Sequence, residues 1–291
     1  MTVLFAFAFA LIVWWLATGA VAFAVRVAES RRRIVSFVFG VIGAIGISGL
    51  IWSSSQVSVW AAYTGFASAL AVWAFHEALF LMGIVTGSRP YPCPEHARGG
   101  VRFRAAFRAI DHHEIALFAT VFVLCVWLGG GANPVGPMLL AVMWVMRLST
   151  KLIVFHGAPN AISDLMPPRV RYLHTYFRTD RVTPFFPIAL AFSACLFIVL
   201  VDAVFQARTE YGLVGHSLVG TFVLLAVAEH IFLIVPWRDA SLWDWAIHKD
   251  KDVADDRVSS ADSDERNHLP IVDISPSIQR TRRSVLMERG L

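Results

Sequence analysis

Apolar residues fall into seven long runs separated by short polar breaks. The runs are about Val3–Val25, Ile34–Trp52, Val59–Thr86, Ile110–Leu128, Gly136–Phe155, Pro184–Phe205 and Leu213–Val235. Each is far longer than a strand and long enough to cross roughly 30 Å of hydrocarbon as a helix. The pattern therefore predicts an all-α polytopic membrane protein with seven transmembrane helices. The first run could be mistaken for a secretory leader, but no basic segment precedes it and its charges follow it, so it reads as a span.

The polar breaks alternate in kind. Connections one, three and five hold Arg26 and Arg31–Arg33; Arg89, Arg98, Arg102, Arg104 and Arg108; and Arg169, Arg171, Arg178 and Arg181. The other three are short, Gly/Ser-rich, and hold one basic residue between them, Arg208. Loops rich in Arg and Lys stay on the cytoplasmic side. The N-terminus is thus expected in the periplasm and the C-terminus in the cytoplasm, with the protein in a bacterial cytoplasmic membrane.

Two segments outside the runs have their own pattern. In connection five, Tyr172, Leu173, Tyr176 and Phe177 recur at helical spacing among arginines, predicting a short amphipathic helix at the inner interface. After the last run, Trp237, Trp243 and Trp245 suit the headgroup level. From Lys249 the composition turns polar. The expected organisation is a transmembrane domain over 1–248 and a largely disordered cytoplasmic tail over 249–291.

Composition agrees with a membrane protein. Of 291 residues, 57% are hydrophobic and only 16% charged, with a net charge of +4; globular chains run near a quarter charged. The basic balance, 22 Arg with 3 Lys, is explained by topology, so the partner is the lipid bilayer and not nucleic acid. The three cysteines form no CxxC pair, which argues against a disulfide framework or a cysteine zinc site. No Walker, GxSxG, HExxH or dinucleotide glycine fingerprint occurs in a suitable context. The last span lacks the lysine that a retinal Schiff base needs.

Counting back from the arginine-rich ends converts polar residues into depths. Asp111-His112-His113-Glu114 opens span four, and His76-Glu77 lies about 13–15 Å into span three at 1.5 Å per residue. Arg147 and Lys151 are four apart on span five, and Glu229-His230 lies about 8–9 Å into span seven. Asn160 and His174 border the same side. Ionisable groups inside a membrane are costly and usually have partners, so these residues are expected to meet.

Three chemistries remain open for them. Glu77, Glu114, Glu229, His113 and His230 could ligate a dinuclear metal, although the Glu-x-x-His spacing of carboxylate-bridged sites is absent. His76, His112, His113 and His230, with Arg147, Lys151, Asn160 and His174, could border a tetrapyrrole, since neutral imidazole ligates such metals. Or the carboxylates could pair with Arg147 and Lys151 and hold the bundle together.

The order of several short motifs is also informative. They are His76-Glu77 followed by Gly87-Ser88-Arg89-Pro90; Phe107 to Glu114; Trp144 to Lys151; Phe155-His156-Gly157-Ala158-Pro159-Asn160; Leu165 to Phe177; Phe186-Pro187; and Glu229 to Pro236 followed by Leu242-Trp243. In this order they resemble the photosynthetic complex assembly protein family called PuhE, of phototrophic purple bacteria. The chain departs from that family's pattern at Ile153 and His156, where the family has Asn and Leu. The resemblance implies a role in assembling the reaction centre and core light-harvesting complex, or in bacteriochlorophyll supply. Reaction-centre or antenna subunits, or other assembly factors, would be its partners. An integral membrane metal-dependent enzyme acting on a tetrapyrrole or other lipophilic substrate, and a purely structural or regulatory membrane protein, are the competing expectations.

Overall fold

The computed structural model describes residues 1–161 and 166–236, with Glu29 described in its backbone only. The expected interfacial tryptophans after Pro236 and the tail lie outside the described residues. The described chain is helical, with no strand among the described residues.

Seven helices are long and apolar enough to cross a membrane: α1 (Thr2–Ala28), α2 (Ser30–Ser54), α3 (Val59–Leu81), α4 (Gly99–Leu128), α5 (Val135–His156), α6 (Phe185–Gln206) and α7 (Glu210–Phe232). The chain is thus a multi-pass membrane protein of the predicted class. Ser58 caps α3 by accepting from the Ala61 amide at 3.1 Å. Thr209 caps α7 by accepting from the Gly212 amide at 3.1 Å.

Three boundaries differ from the sequence expectation. The first connection is not a loop: α1 passes into α2 through a kink at Arg31, whose φ/ψ of −131°/35° are non-helical. Two apolar clusters show that the pair folds back. Ala6 and Ala10 of α1 share a cluster with Leu50 of α2 and Phe66 near the start of α3. Val25, Val35 and Phe39 share another with Ala78 near its end. The second difference is that α3 stops at Leu81, because Gly83 takes a φ of 66° that favours glycine. The third is that α4 begins at Gly99, eleven residues before Ile110. Its first turns are long enough to stand outside the apolar layer, and they carry Arg102, Arg104 and Arg108.

Close helix contact comes from small residues, as expected where lipid removes the hydrophobic drive between helices. A Cβ on Gly46 of α2 would lie 2.9 Å from the Ser68 carbonyl of α3, and one on Gly136 of α5 would lie 2.3 Å from Leu50.

The arginine-rich connections meet at one end of the bundle. Arg32 Nη2 donates to the Gly83 carbonyl at 3.0 Å. Arg102 donates to the carbonyls of Phe155 (3.0 Å) and Tyr176 (2.6 Å) and lies 4.1 Å over the Phe155 ring. At the opposite end the Asn133 amide donates to Ser54 O at 2.9 Å, and Tyr211 donates to Asn133 Oδ1 at 2.9 Å.

The amphipathic segment of connection five is a 3₁₀ helix over Pro168–Tyr176. Its buried residues are Val170, Leu173 and Tyr176. They recur every three residues, as 3₁₀ geometry requires. An α-helical period selects Tyr172 and Phe177 in place of Val170. Burial pushes the Tyr176 phenol pKa up, which keeps it an O–H donor to the Tyr91 carbonyl at 3.0 Å.

Replacing Gly46 with Val should force α2 off α3 at a cost of about 1–3 kcal/mol, read as a lower unfolding midpoint in mild detergent. Gly40→Ala, where a Cβ meets nothing within 4 Å, should leave that midpoint unchanged or raise it.

Candidate functional site

The polar run 111–114 sits where α4 is gripped by the connection before it. The backbone of residues 86–89 lies against the helix. The His113 amide, inside α4, donates to Thr86 O at 2.9 Å, and the Arg89 amide donates to Arg108 O at 2.8 Å. Tyr172 Oη donates to Ala109 O at 3.2 Å. The approach is close because residue 87 is glycine: a Cβ there would lie 2.4 Å from Arg108 O and from the Ala109 carbonyl carbon. Asp111 fixes the contact by accepting from both the Ser88 amide and the Ser88 hydroxyl at 2.7 Å.

The four consecutive side chains then diverge, because successive residues on a helix point about 100° apart. Asp111 holds the connection. His112 is 62% exposed and points away from the bundle. His113 is buried, with 1% of its side chain exposed, and Glu114 turns to α5, where it pairs with Lys151.

Arg147 of α5 forms the centre. Its Nη2 donates to Glu77 Oε1 of α3 at 3.2 Å and its Nη1 donates to Glu229 Oε1 of α7 at 3.1 Å. One turn further along α5, Lys151 Nζ donates to Glu114 Oε1 of α4. The (i, i+4) spacing puts both cations on one face of α5. Three ion pairs made by two adjacent cations therefore tie four of the seven helices together. The residues lie nearer the helix ends than the sequence count placed them: α3 ends four residues after Glu77 and α7 three residues after Glu229.

The histidines have separate fates. His230 is fully buried, its Nδ1 2.6 Å from the Ala226 carbonyl and its Nε2 2.6 Å from Ser149 Oγ. A carbonyl only accepts, so Nδ1 carries a hydrogen; the single Ser149 hydroxyl hydrogen is shared between two acceptors in reach, Nε2 and the Met146 carbonyl at 2.8 Å. His76 is buried on α3 with its ring edge-on to Phe75 at 5.1 Å. His113 stacks on Phe80, with ring centroids 4.3 Å apart and planes 30° apart. Neither of its ring nitrogens has a hydrogen-bond partner among the described residues, and its Nε2 lies 4.0 Å from Glu114 Oε1.

The remaining candidates are not brought to this centre. Asn160 ties its loop to the end of α7: its amide donates to Leu233 O at 3.0 Å, and its side chain donates to Ile234 O. His174 is exposed on the 3₁₀ helix, beside Phe177 at 5.5 Å between ring centroids.

The donor geometry bears on the expected ligands. Among the described residues, no three His, Cys, Asp or Glu side chains are grouped to hold a metal ion; the carboxylates of Glu77, Glu114 and Glu229 turn to Arg147 and Lys151 instead. For a tetrapyrrole, His230 has both ring nitrogens engaged. His113 has an unengaged imidazole, but both its nitrogens are buried and its side chain is 1% exposed, which leaves no open approach for a macrocycle. Sequence reasoning missed Ser149, which answers His230, and Phe80, which lies between His113 and Lys151, whose Nζ is 5.8 Å from the Phe80 ring centroid. The (i, i+3) spacing of Phe80 from Glu77 is the one signal that could have found it.

Breaking one partner of a buried ion pair leaves the other uncompensated, at roughly 3–5 kcal/mol. Arg147→Met should therefore lower the unfolding midpoint in detergent more than Lys151→Met does. Adding Glu77→Gln to Arg147→Met should recover part of the loss.

Comparison with known proteins places the chain by sequence. A 29% identical relative in Rhodobacter capsulatus aligns over 248 residues, covering 84% of this chain and 90% of the relative, and is described as an uncharacterized 30.4 kDa protein in the puhA 5′ region. No solved structure matches. A family model described as protein of unknown function, DUF3623, matches residues 1–254. The chain belongs to the DUF3623 family.

Proposed function

We propose that the protein is a non-enzymatic membrane assembly factor for the photosynthetic reaction centre and core light-harvesting complex, acting by binding their subunits or by influencing bacteriochlorophyll supply. The observation that carries this reading is the pairing of the intramembrane charges with one another. Glu77 and Glu229 share Arg147, and Glu114 takes Lys151, so the carboxylates that would serve as metal ligands or acid–base groups are committed to holding helices. The resulting bundle presents large apolar side chains outward on every span except α5, among them Phe37, Trp60, Val126 and Ile188. That surface suits lipid and other transmembrane helices.

The setting comes from relationship. The motif order resembles the PuhE assembly proteins, and the relative from Rhodobacter capsulatus carries the puhA 5′ region in its description. In this reading the arginine-rich end faces the cytoplasm by the positive-inside rule, and the membrane is the bacterial inner or intracytoplasmic membrane.

The test is co-purification. The full chain, tagged and expressed in a phototrophic host in place of its own copy, should bring down reaction-centre or core antenna subunits in mild detergent. Deletion should lower assembled reaction centre per cell, seen in near-infrared absorption. Normal complex levels in the deletion strain together with no photosynthetic subunit in the eluate would sink the reading. A stoichiometric iron or manganese content in the purified protein would favour a metal enzyme instead.

A further inference from the structure

We propose that Glu229 receives one cationic side chain, Lys or Arg, from a partner transmembrane helix. The proposal rests on the reading of the protein as a factor that binds other membrane proteins, and it names the contact.

The argument begins with charge. The described network brings three carboxylates together, Glu77, Glu114 and Glu229, with two cations, Arg147 and Lys151. With all three carboxylates ionised, it is one positive charge short among the described residues. Within a bilayer an unmatched charge is costly unless something pairs with it.

The shortfall is localised by exposure. Glu77 and Glu114 are 9% and 12% exposed. Glu229 is 37% exposed, and its cation, Arg147, is shared with Glu77. Glu229 is therefore the carboxylate that an incoming group can reach. On α7 it shares a stripe with the half-buried Phe222 and Leu225, at the seven- and four-residue spacings that align on one helix face. This gives a partner helix an apolar surface beside the charge.

A second observation concerns His113, a basic side chain beside Glu114 that could otherwise supply the charge. It is 1% exposed, lies 4.0 Å from Glu114 Oε1, and has no hydrogen-bond partner at either nitrogen among the described residues. An imidazolium there would carry two buried N–H donors without acceptors, a penalty of its own. The balancing charge is better placed at the exposed carboxylate.

The test uses the full chain in phosphatidylcholine nanodiscs and a synthetic Leu/Ala transmembrane peptide of about 20 residues carrying one Lys a turn from its end. The control peptide has Gln at that position. Energy transfer between labelled protein and peptide reports association. The Lys peptide should bind about tenfold more tightly than the Gln peptide, the order of an interhelical polar contact in lipid. Glu229→Gln should abolish that preference. Glu229→Asp should keep it, which separates loss of charge from loss of fold.

Equal binding of the two peptides to wild type, or a preference that survives Glu229→Gln, would overturn the proposal. So would a new preference arising only in Arg238→Gln, nine residues along the chain from Glu229, since the chain would then supply its own counter-charge. The probe contains no photosynthetic sequence. A negative result beside successful co-purification removes the Glu229 contact alone, and a positive result stands whatever co-purifies.

Discussion

The bundle depends on one guanidinium. Arg147 donates to Glu77 and Glu229 through its two terminal nitrogens. That geometry suits arginine, whose planar fork can address two carboxylates at once, and would not suit lysine. The contact joins α3, α5 and α7, and Lys151 adds α4 a turn away. In lipid the hydrophobic effect does not hold helices to each other, so ionic ties and small-residue contacts carry more of the specificity. Arg147 fixes the arginine-rich half, while glycine contacts such as Gly46 on Ser68 fix the packing beyond it.

The grip of residues 86–89 on α4 is the second constraint. An amide inside a helix rarely takes an acceptor from another segment, yet His113 does. Gly87 permits the approach and Asp111 locks it through Ser88. The lock also sets the rotation of α4, which turns His113 toward Phe80 and Glu114 toward Lys151. A carboxylate that reads as a membrane-site candidate thus works as a clamp on a surface connection.

The polar centre was legible in the sequence only as a depth. Counting residues from the arginine-rich ends correctly grouped Glu77, Glu114, Arg147, Lys151 and Glu229, because helix rise is fixed at 1.5 Å per residue. It did not separate His112 from His113, since rotation about the helix axis is set by packing. It also drew in Asn160 and His174, which lie at the right level but hold a loop and face outward. Ser149 and Phe80 escaped because neither residue type stands out in an apolar helix.

By itself the sequence determined the number of spans, their approximate limits and the segregation of arginines to alternate connections. These follow from the length of hydrocarbon to be crossed and the cost of charge within it. It also carried the short helix of connection five, though not its 3₁₀ period. Only the tertiary structure decided the turn at Arg31, the overhang of α4 and the division of the polar residues among clamp, ion pairs and the unpartnered His113. Those outcomes depend on which helix faces meet, and a run of apolar residues specifies burial in lipid without specifying a neighbour.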